Sequence, residues 1–147
     1  IPAEKAKNGF SHRVPLSPLA INLFNRAIAL SKESRWVFAS PHKKKKDGHI
    51  NPQSINHGLN KNKDELGING FVPHDLRRTA ASYMTGMGIP RLVVKKILNH
   101  VDSDVTAVYD RHSYDREKRE ALNTWGHKLE SIVSSDTSNV VPFRKKM

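Results

Sequence analysis

The sequence predicts an α+β protein that is mostly α-helical, with a small antiparallel β-hairpin or sheet followed by a helical bundle. The hairpin is indicated by Asn8-Gly9, a pair that tolerates positive φ in tight turns, within residues 1–16. Helices are indicated by Pro18 and Pro52, because each proline directly follows a residue that caps helix N-termini. Apolar residues then recur at helical spacing through most of the second half of the chain.

The elements of the first half follow in order from these signals. Residues 13–16 are expected to form the returning strand of the hairpin, and residues 18–31 an amphipathic helix with a regular apolar face. Trp36-Val37-Phe38 is expected to be a short buried strand, and a polar loop over residues 40–50 follows it. A weaker helical pattern covers residues 52–66.

The second half is predicted to be a helical bundle. Its helices are expected over residues 74–87, 90–99, 104–111 and 114–131. We therefore expect one domain over residues 1–133, followed over residues 134–147 by a polar and then basic tail that is disordered or serves as an interaction arm.

Composition narrows the classes of function. The 147 residues include 25 Lys and Arg against 14 Asp and Glu, which gives a net charge of +11. The many positive charges repel one another, and a polyanionic partner would offset this repulsion. Nucleic acid is favoured as that partner over an anionic membrane surface. No apolar run approaches the roughly 20 residues that a membrane-spanning helix needs. The absence of cysteine excludes a disulfide scaffold, a thiolate nucleophile and Cys-ligated zinc, and it is compatible with a reducing cytosol.

One set of side chains could act on a phosphodiester. His74 and Arg77 lie three residues apart and therefore share a helix face, His100 falls where a helix ends, and Tyr109 follows nine residues later. A tyrosine oxygen can act as a nucleophile, an arginine can bind the phosphate oxygens, and a histidine can move protons. The histidines do not match a zinc-ligand spacing, so we expect no metal site.

Three motifs resemble the second half of the catalytic domain of tyrosine recombinases, the phage integrases. They are the run HDLRRT that begins at His74, the run LNH that ends at His100, and the run VYDR that contains Tyr109. The segment around Lys7 looks like the β-hairpin that carries the catalytic lysine in this family. The likeness extends from residue 1 to about residue 130 and is closest to integrases of prophages and genomic islands.

The resemblance implies a role for each of five residues. Tyr109 would be the nucleophile that becomes joined to a DNA 3′-phosphate, and Arg77 would be the second of the two catalytic arginines. His74 and His100 would contact the phosphate and assist proton transfer. Lys7 would protonate the leaving 5′-oxygen. Because the phosphotyrosine conserves the energy of the broken bond, neither a cofactor nor a metal is implied.

The resemblance also implies partners. Double-stranded DNA is the substrate, self-association into a tetrameric synapse is expected of the full-length protein, and accessory proteins that bend DNA are further partners. No membrane partner is implied, and the location is the bacterial cytoplasm, at the nucleoid. The expected contacts to DNA come from six basic residues, namely Arg13, Lys43, Lys44, Lys45, Lys46 and Arg78.

Several alternatives stay open at this point. Tyr109 could be a core tyrosine, with Tyr114 as the competing nucleophile, and Lys5 competes with Lys7. No residue matches the family's first catalytic arginine, so we expect the chain to be a C-terminal part of the catalytic domain with weak or no activity alone. Another interpretation is a module that binds DNA or sister protomers without cutting. A type IB topoisomerase would share the chemistry, but the spacing around Tyr109 favours an integrase.

Overall fold

A computed structural model describes residues 1–32, 34–40, 48–67, 70–100 and 112–134 of the chain. These residues form six α-helices and a short 3-10 helix, Ala3–Lys5. The α-helices are α1 (Pro18–Ser31), α2 (Ser54–Lys61), α3 (Lys63–Leu66), α4 (Pro73–Gly86), α5 (Arg91–Ile97) and α6 (Asp115–Val133). In the described part of the chain, no helix is long and apolar enough to cross a membrane.

Most of the predicted helices are confirmed. The helices expected over residues 18–31, 74–87, 90–99 and 114–131 correspond to α1, α4, α5 and α6, with ends that differ by at most about two residues. The weak pattern over residues 52–66 is divided between α2 and α3. The predicted helix 104–111, the lysine run 43–46 and the tail from residue 135 lie outside the described residues.

The predicted N-terminal hairpin is not present as two paired strands. Ile1 and His12 do exchange both main-chain hydrogen bonds, each 2.8 Å long, as opposed residues of antiparallel strands do. Between them, however, the chain forms the 3-10 helix and then a turn, so the pairing stops at this one couple. The segment returns on itself as expected, but local i to i+3 bonds replace the ladder.

The predicted buried strand over residues 36–38 is also wrong. The β-pairing in this region is an isolated antiparallel bridge between Ala39 and His49. It is flanked by hydrogen bonds from Ser40 N to Gly48 O (2.8 Å) and from Ile50 N to Phe38 O (3.0 Å). Phe38 is 54% exposed. The apolar triplet therefore predicted neither the bends over residues 36–38 nor the exposure of Phe38.

The chain divides into two compact units, and the second unit is a continuous stretch that lies in sequence between the two parts of the first. The first unit joins Ile1–Leu19 to Ile89–Met147, and the second is Ala20–Gly88. In the first unit α5 packs against α6, and the apolar side chains that the structure shows buried include Val93 and Val94 of α5 and Ala121 of α6.

A glycine in the middle of α6 allows the N-terminal segment to approach closely. Gly126 is buried, and a Cβ built on it would lie 3.0 Å from Ser17 Oγ and 3.1 Å from Ser17 Cβ. Ser17 is itself only 7% exposed. Glycine is a poor helix former, so its presence within α6 is explained by this contact rather than by helix propensity.

A buried lysine joins the same segment to the start of α6. Lys118 is 5% exposed, and its Nζ donates to the main-chain oxygen of Arg13 (2.9 Å) and pairs with Asp115 Oδ1 (2.8 Å). Asp115 Oδ2 also pairs with the guanidinium of Arg13 at 3.2 Å. The hydrogen bond from Lys118 holds the pKa of Asp115 below its ordinary value, and the charge of Arg13 adds to this effect. The ammonium is thus satisfied although it is buried, as a buried charge requires.

The second unit is more exposed. Of its described side chains, that of Met84 in α4 is the most buried, at 1% exposure. At the end of α1, Ser31 Oγ donates to the main-chain oxygen of Val37, and the Phe24 ring of α1 lies 6.4 Å from that of Phe38. These contacts connect α1 to the segment that leads into the Ala39–His49 bridge.

We predict that Gly126→Ala destabilises the first unit. The added methyl group gains helix propensity but meets Ser17, which is buried and adjoins Pro18, so we expect a net loss of about 1 kcal/mol. The matched control is Gly58→Ala in α2, where a Cβ meets nothing within 4 Å and propensity alone acts. Thermal unfolding of both variants checks this, and equal melting temperatures would contradict it.

A second prediction concerns pH. Because the folded-state pKa of Asp115 is lowered, its stabilising effect is complete above the unfolded-state pKa and is lost as the pH falls below about 4 toward the folded-state value. Asp115→Asn should therefore show a smaller decrease in the free energy of unfolding between pH 7 and about pH 3. Urea unfolding in a Trp36→Phe background lets the fluorescence of Trp125, in α6, report on this unit.

The control for that comparison is Asp64→Asn, which removes an exposed carboxylate of α3. Glu117 and Asp75 also have lowered pKa values and titrate in every variant, so the difference between wild type and Asp115→Asn isolates one group. A pH dependence of Asp115→Asn as steep as that of the wild type would refute the prediction.

Candidate active site

Lys7 lies in a tight turn that differs in detail from the predicted one. Gly9 N donates to Ala6 O (3.0 Å), so Lys7 and Asn8 occupy the two central positions of the turn. Of the Asn8-Gly9 pair, Gly9 has positive φ, at 73°, and Asn8 does not. The Lys7 side chain is exposed at this turn.

His100 follows a complete C-terminal cap on α5. Asn99 has a left-handed φ of 54°, its N–H donates to Lys96 O (3.3 Å), and the N–H of His100 donates to Lys95 O (3.1 Å). These two bonds define a Schellman motif, which satisfies helix carbonyls that otherwise have no partner. The motif fixes the backbone of His100 and leaves its side chain exposed.

The Lys7 turn and the His100 corner are joined by a pair of asparagines. Asn8 Nδ2 donates to the main-chain oxygen of Asn99 (3.1 Å), and Asn99 Nδ2 donates to Asn8 Oδ1 (3.3 Å). The sequence identified Asn8 only as a turn residue and gave no role to Asn99. The structure thus brings together the neighbours of two predicted site residues that are 93 positions apart in sequence (100 minus 7).

His12 is another residue that the sequence analysis missed. Its Nε2 lies 3.1 Å from Ile97 O, a carbonyl of the last turn of α5. Since a carbonyl only accepts, Nε2 must carry the proton of this hydrogen bond. A histidine in an irregular segment gives no sequence signal for such a role, because its partner lies 85 residues away.

Arg13, predicted to contact DNA, lies at the rim of the same unit. Its side chain is 82% exposed while it pairs with Asp115. An ion pair this exposed contributes little stability, so the guanidinium can exchange its carboxylate for a phosphate at small cost. The contact with DNA stays a prediction.

The second unit carries His74 and Arg77 on the first turns of α4, where both are exposed. The helix begins at Pro73, and the carboxylate of Asp75 reaches back to accept from Val72 N (3.0 Å). This bond is the main reason that the pKa of Asp75 lies below its ordinary value, and Arg78 lowers it further. Asp75 therefore fixes the turn from which His74 and Arg77 project.

Arg78 is held by its own helix. Its guanidinium pairs with Asp75 Oδ1 at 3.1 Å and is 71% exposed. The ion pair is typical of a structural role for Arg78 at the start of α4. The contact of Arg78 with DNA stays a prediction.

His74 also lines an open cavity of about 470 Å³ in the second unit. The other lining residues come from α2 and from the segment that enters α4, namely Asn56, Leu59, Asn60, Phe71, Val72 and Pro73. The cavity combines amide and apolar side chains. Within the described ranges, no three His, Asp or Glu side chains are grouped closely enough to hold a metal ion.

The predicted nucleophile, Tyr109, lies outside the described residues, as do Lys43, Lys44, Lys45 and Lys46. The competing Tyr114 is described. It precedes α6 with a left-handed φ of 54°, its ring meets that of His112 edge-on at 4.6 Å, and Lys96 Nζ lies 5.3 Å from its centroid. Tyr114 thus has a clear packing role at the start of α6.

Comparison with known proteins identifies the family. The sequence profile of the phage integrase family matches residues 1–116. The chain belongs to this family. The match spans the Lys7 turn, α4, the His100 corner and Tyr109, as the resemblance of the motifs implied.

Individual relatives agree with the profile. The prophage integrase IntA of Escherichia coli K12 is 29% identical over 143 residues, which are 96% of this chain and 32% of the relative. A tyrosine recombinase of Thermosipho africanus is 28% identical over 120 residues, 81% of this chain and 40% of the relative. This chain therefore spans about a third of the length of these relatives. No solved structure gives a significant match.

We predict that the side-chain oxygen of residue 75, which accepts the hydrogen bond from Val72 N, contributes more to the stability of α4 than the negative charge of Asp75 does. Asp75→Asn keeps an oxygen for Val72 N and loses only the exposed pair with Arg78, so stability should stay close to that of the wild type. Asp75→Ala loses both and should unfold at a clearly lower temperature, with faster amide exchange at Val72. Equal effects of the two substitutions would contradict this assignment.

Proposed function

We propose that this chain is part of the catalytic domain of a site-specific DNA recombinase, which cleaves and rejoins strands through a covalent 3′-phosphotyrosine at Tyr109, and that its activity alone is weak. The observation that supports this most directly is the match to the integrase family over residues 1–116, which includes every predicted catalytic residue. The relatives named integrase and tyrosine recombinase point to the same reaction class.

The proposed step is an in-line transfer. Tyr109 Oη attacks the phosphorus, its proton leaves to a neighbouring base or water, and an O–P bond forms to the tyrosine. The bond from phosphorus to the 5′-oxygen breaks, and that oxygen takes a proton and leaves as a 5′-hydroxyl. Rejoining is the reverse reaction with a 5′-hydroxyl of another strand, so no external energy source is required.

The other residues would lower the barrier by charge and by proton transfer. Arg77 supplies a planar guanidinium for the phosphate oxygens, and His74 lies on the same helix three residues earlier. His100, held by the cap of α5, would donate to the phosphate. Lys7 would give its proton to the leaving oxygen. The geometry that supports these roles is that each side chain is exposed and its backbone is fixed by a turn, a cap or a helix start.

Basic residues outside this set would bind the DNA backbone. The net charge of +11 supports binding that is largely electrostatic and independent of base sequence. Arg13, Arg78 and the lysines at positions 43–46 are the proposed contacts. Assembly of several protomers on DNA and cooperation with bending proteins belong to the same proposal for the whole protein.

A second candidate function is a module that binds DNA without cutting it. It is favoured by the net charge of +11, because basic side chains can bind the DNA backbone without any catalytic group. If about five phosphates are neutralised, the logarithm of the DNA affinity should fall with that of salt concentration with a slope near −4.5.

The test is a nicked suicide duplex, which traps the covalent intermediate. We expect the wild-type chain to form a slow adduct, visible on a denaturing gel, that Tyr109→Phe abolishes and Tyr114→Phe retains. The second substitution is the matched control, because it removes the hydroxyl of the competing tyrosine but keeps the ring that packs against His112.

An adduct that persists in Tyr109→Phe would refute the assignment of the nucleophile. Absence of an adduct in the wild type, with DNA still bound at the slope given above, would favour the module that binds without cutting. Absence of both would exclude the two functions for this chain.

A further inference from the structure

We propose that Asn8 and Asn99 are positioning residues that hold the Lys7 turn against the His100 corner, so that the lysine reaches the leaving oxygen. The proposal rests on the function proposed above, because it assigns Lys7 as the proton donor. It adds two residues that act through the position of Lys7, and its evidence is the geometry of the first unit.

The Asn8 side chain takes part in three hydrogen bonds at this turn. Its Oδ1 accepts from Phe10 N (3.1 Å) and from Asn99 Nδ2, and its Nδ2 donates to Asn99 O. The bond to Phe10 is the local turn that asparagine forms with the residue two positions ahead. The other two bonds cross to the end of α5, so one side chain both shapes the turn and attaches it.

The identity of residue 99 also points to this contact. A left-handed residue after a helix is most often glycine, because glycine has no Cβ to strain that conformation. Asn99 keeps a φ of 54° and satisfies the cap of α5, which glycine would do equally well. What asparagine adds is the side-chain amide that donates to Asn8.

Among the described residues, few side chains pack against the tip of the turn. A Cβ built on Gly9 would meet nothing within 4 Å, and Phe10 is 65% exposed. The contact of His12 with Ile97 O attaches the segment at its far end, four residues beyond Asn8. The bond from Gly9 N to Ala6 O shapes the turn itself, whereas the asparagine pair attaches the turn to the end of α5. Without that pair the turn would have more freedom relative to His100, and the flexible side chain of Lys7 would add to it.

Two substitutions separate this contact from folding. Asn99→Gly keeps the cap of α5 and removes the amide that donates to Asn8. Asn8→Asp keeps an acceptor for Phe10 N but replaces the donor to Asn99 O by a carboxylate oxygen that repels it. Ser11→Ala, at an exposed position in the same segment, is the control for basal behaviour.

The first readout is amide hydrogen exchange in the intact chain. In Asn99→Gly we expect exchange at Gly9 and Phe10 to accelerate about fivefold, the factor that the loss of one net hydrogen bond gives. Exchange at Leu98 in the α5 cap should remain unchanged. Unaltered exchange at Gly9 and Phe10 would overturn the proposal, whatever the catalytic result.

The second readout distinguishes loss of proton donation from general damage. Two suicide duplexes are compared, one with the natural 5′-oxygen at the scissile bond and one with a bridging 5′-sulfur, whose thiolate leaves without a proton. Asn99→Gly and Asn8→Asp should slow adduct formation on the oxygen duplex at least about tenfold, and much less on the sulfur duplex. Lys7→Ala should give the same pattern, and Ser11→Ala should match the wild type.

The outcomes separate this proposal from the proposed function. Equal slowing on both duplexes would mean that the asparagines only stabilise the fold, and it would overturn their positioning role. No adduct in the wild type on either duplex would remove the proposed function, and with it the role in proton donation. The exchange result would then still decide whether the asparagine pair holds the turn.

Discussion

The first unit depends on one buried ammonium group. Lys118 lies inside the protein, and its charge is satisfied by the carboxylate of Asp115 and by the main-chain oxygen of Arg13. If the N-terminal segment separated from α6, the Lys118 ammonium would lose the main-chain oxygen of Arg13 as a partner. Separation is therefore unfavourable, because a buried charge that loses a partner is destabilising. Gly126 adds a second close contact, in which the helix backbone gives room to Ser17. Together they attach the first residues of the chain to its last described helix.

That attachment places the N-terminal segment where it can complete α5. The carbonyls of the last turn of α5 accept hydrogen bonds from the main-chain N–H groups of the three residues that follow the helix, Leu98, Asn99 and His100. One more carbonyl accepts from the His12 ring of the N-terminal segment. The helix end, the His100 corner and the Lys7 turn are therefore a single hydrogen-bonded structure. In the second unit, Asp75 performs the comparable task for His74 and Arg77, by closing the first turn of α4. In both units the candidate catalytic side chains that the structure describes (Lys7, His74, Arg77 and His100) are exposed, while a turn, a helix start or a cap holds their backbone.

The sequence predicted the helices well, because their signals are local. Proline at the start of α1 and apolar residues every three or four positions require no knowledge of distant contacts. The predictions were wrong where the same short sequence pattern is compatible with more than one structure. Asn8-Gly9 indicated a hairpin, but Asn8 uses its side chain on Asn99, and the chain around it forms a 3-10 helix and a turn. Phe38 belongs to an apolar triplet, yet it stays exposed beside a single bridge.

By itself the sequence determined the helical order, the positive charge, the family motifs and the candidate residues, because residue type and short spacing encode all of these. The tertiary structure decided which residues position them. His12, Lys118 and Gly126 carry no distinctive pattern, and Asn99 was noted only as part of the LNH motif. Each of the four acts on a partner far away in sequence, between 85 and 109 positions (126 minus 17) along the chain. Such contacts depend on how the two ends of the chain come together in one unit, and local propensity does not contain that information.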